Sequence, residues 1–344
     1  MAKKAGISHT SILNDITQGI YKPVYLLMGD ESYFIDQIAN ALESTVLTEE
    51  EKAFNFMTIY GKESDMAQIV TQARQFPMMS EYQLIIVKEA QHIKNFDALS
   101  SYLKQPQLST ILVICHKHGS IDKRKKVIKD VAQQGLVYES KKLYDNQVAP
   151  WIMEFCKNQR IKINIRDASI FAEYVGNDLS RIVNEIDKLQ VILKRQKSNT
   201  INGQIIEKYI GVSKDYNNFE LTSALGIKDV MKANRIINYF AKDPKNHPLV
   251  VTTTVLFNFY NNLLYFFWHK SKGINDKTSI ATALKVNPYF VKDYETASRF
   301  YTSGQALHAL SVLRQLDAQS KGFGGSRQST ERDLLLEAIY KIMH

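Results

Sequence analysis

Five short apolar runs, punctuated by stretches with helical spacing, constrain the fold of this chain more than any other feature of its first 140 residues. Val24-Tyr25-Leu26-Leu27-Met28 ends in Gly29, the form of a buried parallel strand. Phe34, Ile35, Ile38, Ala41 and Leu42 then recur at helical spacing. Phe54 to Tyr60 reads as a second strand. A helical stripe of Met66, Ile69, Val70, Ala73 and Phe76 follows, stopped by Pro77. Leu84 to Val87 and Thr110 to Ile114 read as the third and fourth strands. Ile121 to Gln134 reads as a basic helix closed by Gly135, and Leu136 to Tyr138 as the fifth strand. Strands connected through helices imply a parallel sheet covered on both faces.

Beyond Lys141-Lys142 the strand signals stop. Helices are expected from Trp151, across Ala168 to Val175, across Leu179 to Ile192, and from Ile201 to Ile210, a small bundle. Further helices are expected at 219–225, 230–240, 249–269, 279–284, 287–300, 304–319 and 330–342, broken at Asp243-Pro244, Lys272-Gly273 and Ser303-Gly304 and by the Gly-rich run from Lys321 to Gly325. The expected organisation is an α/β domain over 1–140, a helical domain over 141–212 and a second helical domain over 213–344.

Charge divides along the same lines. The total of +9 splits into −1 for residues 1–140, +4 for 141–212 and +6 for 213–344. A basic surface concentrates polyanions, nucleic acid above all. The longest apolar run, Leu263 to Trp268, is far short of the roughly 20 residues of a membrane span. The basic N-terminus has no apolar signal core behind it, and two cysteines, Cys115 and Cys156, make no disulfide framework. A reducing cytoplasm is the expected location.

A sheet of this kind binds ligands beyond the carboxyl ends of its strands. A phosphate loop there would need a G-x-x-x-x-G-K-[ST] run, with Lys on the phosphates. The residues after Met28 are Gly29-Asp30-Glu31-Ser32-Tyr33-Phe34, with no Lys and no second Gly, and two carboxylates stand where a polyphosphate would sit. Lys88 occupies the place of a metal-binding acid after the third strand. Asp30 and Glu31 are better suited to capping the next helix. Cys115-His116-Lys117-His118 lacks the further ligands of a metal site. No nucleophile-elbow, H-E-x-x-H or G-x-G-x-x-G motif occurs. No cofactor is expected.

These segments, taken in order, resemble the delta subunit of the bacterial DNA polymerase III clamp loader. The resemblance rests on Pro23 to Glu31, on Phe76-Pro77-Met78-Met79-Ser80-Glu81 before the third strand, and on Ile121 to Lys126 and Trp151-Ile152. It continues through Val175 to Leu179, Asn184 to Leu189, and Asn218-Phe219-Glu220-Leu221. It implies an AAA+-like, RecA-type domain with no ATPase activity, then a helical lid and a helical collar. It also implies a place in the DNA polymerase III holoenzyme, a DNA-directed DNA polymerase. The partners implied are the sliding clamp (the beta subunit), the ATPase and delta-prime subunits of a hetero-pentameric loader, and primed DNA, with no membrane.

By the same resemblance, Phe76, Pro77, Met78 and Met79 form the clamp-binding element, with a one-residue ambiguity of register. Methionine stands where the family more often has Leu or Phe, and Tyr82-Gln83 where Arg is usual. The alternative is that both methionines pack under the third strand. Gly29, Asp30, Glu31, Lys88 and Arg181 mark a degenerate, non-binding nucleotide site. Arg181 stands in the place of the lid arginine that touches nucleotide in active relatives, and is expected to be structural. Lys321, Phe323 and Arg327 combine cations with an aromatic ring, a chemistry suited to phosphate and base contact. The rival reading is a sequence-specific regulator, because Thr278 to Val291 resembles a helix-turn-helix. Its recognition helix would present Tyr289, Phe290 and Val291, too apolar to read bases.

Overall fold

The structure, a computed structural model, describes residues 8–210, 216–323 and 330–344. They form two compact units, one running to Leu143 and including Asp178–Ser180, the other made of Tyr144–Asn177 and the chain from Arg181 onward.

The first unit is built on five parallel strands, β1 (Val24–Gly29), β2 (Phe56–Tyr60), β3 (Gln83–Lys88), β4 (Thr110–Lys117) and β5 (Leu136–Ser140), in the order β2-β3-β4-β1-β5. Alternation along β1 sends Val24, Leu26 and Met28 to one face and Tyr25 and Leu27 to the other. The first face is covered by α4 (Met66–Ala73), α5 (Asp97–Tyr102) and α6 (Lys126–Gln134). The second is covered by α1 (His9–Thr17) and α2 (Ser32–Thr45), through Ile12, Ile16, Ile35, Ile38 and Leu42. Each of these side chains contributes roughly 1.5–3 kcal/mol by leaving water, which is why a continuous apolar run such as Val24–Met28 must be central.

Two boundaries differ from expectation for local reasons. Phe54 and Asn55 close a helix, α3 (Glu49–Asn55), and β2 begins only at Phe56. A reciprocal cap holds α3: Thr48 Oγ1 accepts from Glu51 N–H, and Glu51 Oε2 accepts from Thr48 N–H at 2.9 Å. Likewise α6 starts at Lys126 rather than Ile121, because the Asp122 carboxylate accepts from the backbone and side chain of Arg124 and folds 122–125 into a turn.

The second unit is helical: α7 (Asp145–Asn158), α8 (Ile165–Val175), α9 (Leu179–Arg195, in this unit from Arg181), α10 (Gly203–Ile210), α11 (Asn218–Gly226), α12 (Val230–Phe240), α13 (Leu249–Ser271), α14 (Lys277–Leu284), α15 (Val291–Ala297), α16 (Ser303–Ser320) and α17 (Glu331–Met343). The helix expected over 287–300 is interrupted: Asn287 caps a 3-10 turn, Pro288–Phe290, and α15 follows. The run Asn218-Phe219-Glu220-Leu221 ties several helices together. The amide of Asn218 donates to Glu173 on α8, Phe219 stacks on Phe290 at 5.6 Å, and Glu220 takes ion pairs from Arg166 and Lys232. Leu221 enters the core.

Glu173 is only partly accessible, and burial pushes its carboxyl up to about 7, with the Asn218 hydrogen bonds opposing. An acid with a folded pKa above its unfolded value of 4.5 stabilises the fold fully below that value and loses the contribution as pH rises through about 7. Glu173→Gln keeps an acceptor for Asn218 and removes the charge. It should therefore match the native chain at pH 4.5 and exceed it at pH 8 by about 2 kcal/mol, after discounting for partial solvent access. Urea melts at the two pH values measure the difference; an equal offset at both would contradict it.

Candidate functional site

At the carboxyl edge of the sheet, only Asp30 and Glu31 separate β1 from α2. The turn is closed by hydrogen bonds to Gly119 and Ser140. Gly29 N–H donates to Gly119 O at 2.9 Å, Asp30 N–H donates to Ser140 O at 3.0 Å, and Ser140 Oγ donates to Glu31 O at 2.7 Å. Gly29 has φ +134°, and a Cβ there would lie 1.9 Å from Ser140 O. Phosphate loops work by aiming free N–H groups at the anion; here those of Gly29 and Asp30 are spent on carbonyls.

The N-terminus of α2 carries its own anion, since Glu31 Oε1 accepts from Tyr33 N–H at 3.1 Å. Burial raises the Glu31 pKa, and the Tyr33 bond pulls it back down. Lys88, at the end of β3, is half-buried, and its carbonyl accepts from Gly61 N–H. Lys117, at the end of β4, pairs with Asp36 on α2 at 2.6 Å. Among the described residues no group of three or more His, Cys, Asp or Glu side chains is placed to hold a metal ion. His116 Nδ1 lies 3.2 Å from Gly119 O, and Cys115 is buried with its thiol pushed up to about 12 by desolvation.

The opposite edge, where β3 and β4 begin, presents different chemistry. After α4 the chain runs out through Phe76 (77% exposed), Pro77, Met78 (62% exposed) and Met79, which is fully exposed, before re-entering at β3. Neither methionine packs under the strand. The loop is nevertheless pinned on both sides. Buried Asn55 receives Met78 N–H at 2.7 Å and donates to Met78 O at 2.9 Å. The Gln83 side chain donates to Gln75 O, and Glu51 hydrogen-bonds Ser80. Met79 sits at the tip with φ +52°, a left-handed conformation. The loop thus holds an apolar tip in water through polar contacts at its base, of which Asn55 is the buried one.

Asn55→Ala leaves both Met78 backbone groups without this partner. We expect a loss of about 1–3 kcal/mol of stability, read by denaturant melts, together with faster amide exchange over residues 76–80.

Residues 25–141 match the model of the family described as DNA polymerase III, delta subunit, and residues 215–338 match that of the DNA polymerase III delta subunit, C-terminal domain. The chain belongs to the DNA polymerase III delta subunit family. It is 24% identical over 336 residues to the DNA polymerase III subunit delta of Bacillus subtilis, covering 95% of this chain and 94% of that one. The fold is similar to that of the Bacillus subtilis DNA clamp loader delta protein, with a TM-score of 0.52 at 23% identity, over 98% of this chain and 99% of that one.

The other residues singled out on this delta-family chain come later in its sequence, from Arg181 onward. Arg181 is in the first turn of α9 and exposed. Lys321 pairs with Asp317 at 2.7 Å, Phe323 is exposed, and Arg327 lies outside the described residues. In the helix-turn-helix-like stretch, α15 has seven residues, Val291 is buried and Phe290 is held against Phe219. Sequence reasoning missed Asn55 and Ser140, and noted Gln83 only as a departure from the family's usual Arg. Asn55 could have been noticed as an amide closing a capped helix, whereas Ser140 acts through its backbone carbonyl and its hydroxyl on a turn 109 positions away, which no local pattern signals.

Proposed function

We propose that this chain is the clamp-loader subunit that binds the sliding clamp and opens it, with no catalysis of its own. The observation that carries this reading is the pinned loop projecting Phe76, Met78 and Met79 into solvent. Methionine is flexible and polarizable, so it fits an irregular apolar cleft. Burying two such side chains contributes roughly 3–6 kcal/mol before association costs. Opening requires only that the loop bind the open ring better than the closed one, because a ligand shifts an equilibrium by its differential affinity. A loop held in one conformation makes that difference larger than a floppy one would.

The closed β1–α2 turn supports the absence of an ATPase step: Gly29, Asp30, Glu31 and Lys88 offer no phosphate cradle, and Arg181 is read as a structural remnant. The reading takes residues 141–212 as a lid and 213–344 as a collar through which ATPase and delta-prime subunits associate. On α13, Val250, Phe257, Tyr265 and Trp268 fall on one face and are all exposed, as an unfilled subunit contact would be. Lys321 and Phe323 are assigned to primed DNA, with salt-steep and sequence-tolerant binding. No helix among the described residues is long and apolar enough to cross a membrane, and a replication role places the chain in the cytoplasm.

Gel filtration of the full chain mixed with its cognate sliding clamp, without nucleotide, tests the reading. Co-elution is expected, and separate elution at micromolar concentrations would overturn it.

A further inference from the structure

A second loop stands beside the apolar tip. The connection from α5 to β4 carries Pro106 and Leu108, and Leu108 is 75% exposed. Together with Phe76, Pro77 and Glu81 these residues line one open groove. The two loops are fastened to each other at their bases. Gln83, the first residue of β3, donates through its backbone N–H to Ser109 O at 2.8 Å. Its side-chain amide reaches both Gln75 O and Thr110 Oγ1, the latter at 2.7 Å. Thr110 Oγ1 in turn donates to Ala73 O at 2.9 Å, at the end of α4. A proline on each wall restricts the backbone further. Leu108 is thereby held at a fixed position relative to Phe76, although 32 positions separate them in sequence.

We infer that the sliding clamp is gripped by both loops, with Leu108 a further contact residue and a convex apolar element of the clamp seated between Leu108 and Phe76. This rests on the clamp-binding reading of the Phe76–Met79 loop. The occupant follows from continuity: Phe76 and Pro77 belong both to the binding element and to the groove wall, so a clamp that covers the element also closes the groove. Phe76, Pro77, Pro106 and Leu108 give the groove its apolar surface beside the uncharged Ser80, Gln107 and Ser109, and among the described residues lining it Glu81 alone is charged, and negatively, which suits an uncharged segment with an apolar face better than a polyanion. Because the two loops are joined by this chain of hydrogen bonds, the last of them buried, the surface is ordered before the clamp arrives.

The test compares the full native chain, Leu108→Ser and the Met78→Ser/Met79→Ser pair for affinity to the cognate clamp by surface plasmon resonance. Hydroxyl-radical footprinting of the native chain, with and without clamp, supplies a readout independent of any variant. Leu108→Ser is expected to weaken binding roughly tenfold, the effect of losing one buried apolar contact, and residues 106–109 should be protected by the clamp. Affinity of Leu108→Ser within twofold of native, or protection of 106–109 only by other loader subunits, overturns the inference. An unaffected methionine pair would instead overturn the clamp-binding reading beneath it, so the two failures are distinguishable.

Discussion

Serine at positions 78 and 79 together should reduce clamp affinity by a factor of about 10² to 10⁴, the equivalent of the roughly 3–6 kcal/mol that two buried methionines contribute. The fold should not notice. Both side chains already face solvent, so stability should change by no more than about 0.5 kcal/mol and the circular dichroism spectrum should stay helical. The measurement is clamp binding by surface plasmon resonance beside a thermal melt. Native affinity in the double variant removes the assignment of this loop.

Met79→Gly separates contact from conformation. Met79 has φ +52°, where glycine is at ease, so this variant should gain up to about 1 kcal/mol of stability while losing clamp affinity. Opposite signs for the two readouts are what a binding tip predicts; a packing residue would lose both.

The largest effect on the fold is expected from Gly29→Ala. Its methyl group would lie 1.9 Å from Ser140 O and 2.7 Å from Ser140 C, backbone atoms of the adjacent strand that cannot swing aside. The φ of +134° adds strain for any L side chain. Displacing β5 from β1 would also break the bonds from Asp30 N–H and Ser140 Oγ that close the turn. Together these cost at least about 3 kcal/mol, seen as a lower urea midpoint or as insoluble protein. A variant that melts like the native chain would mean the turn is more open than described. In a phosphate loop, glycine serves the ligand; at Gly29 it serves the close approach of two strands.

Much of the first unit is legible in the sequence because burial on both faces of a parallel strand demands an unbroken apolar run. Val24–Met28, Leu84–Val87 and Thr110–Ile114 could hardly be read otherwise. Where the apolar signal was weaker, local hydrogen bonds moved the boundary. Thr48 and Glu51 extend a helix over Phe54 and Asn55, and Asp122 delays α6 to Lys126. The helix α1 carries only Ile12 and Ile16 into the core and gave no periodic signal strong enough to read.

The absent phosphate motif is a matter of residue types, and the sequence alone establishes it: no lysine and no second glycine follow Met28. Whether Met78 and Met79 lie under the strand or stand in water is not a matter of residue type, since methionine suits either. That was decided by Asn55, 23 positions away, whose buried amide grips the Met78 backbone and turns the loop outward. The pairing of Leu108 with Phe76 is likewise tertiary, arising from the shared anchoring of two loops at Gln83 and Thr110. Periodicity and motif spacing record what a residue needs from its own segment. Contacts between distant segments depend on where the sheet brings them, and only the folded chain specifies that.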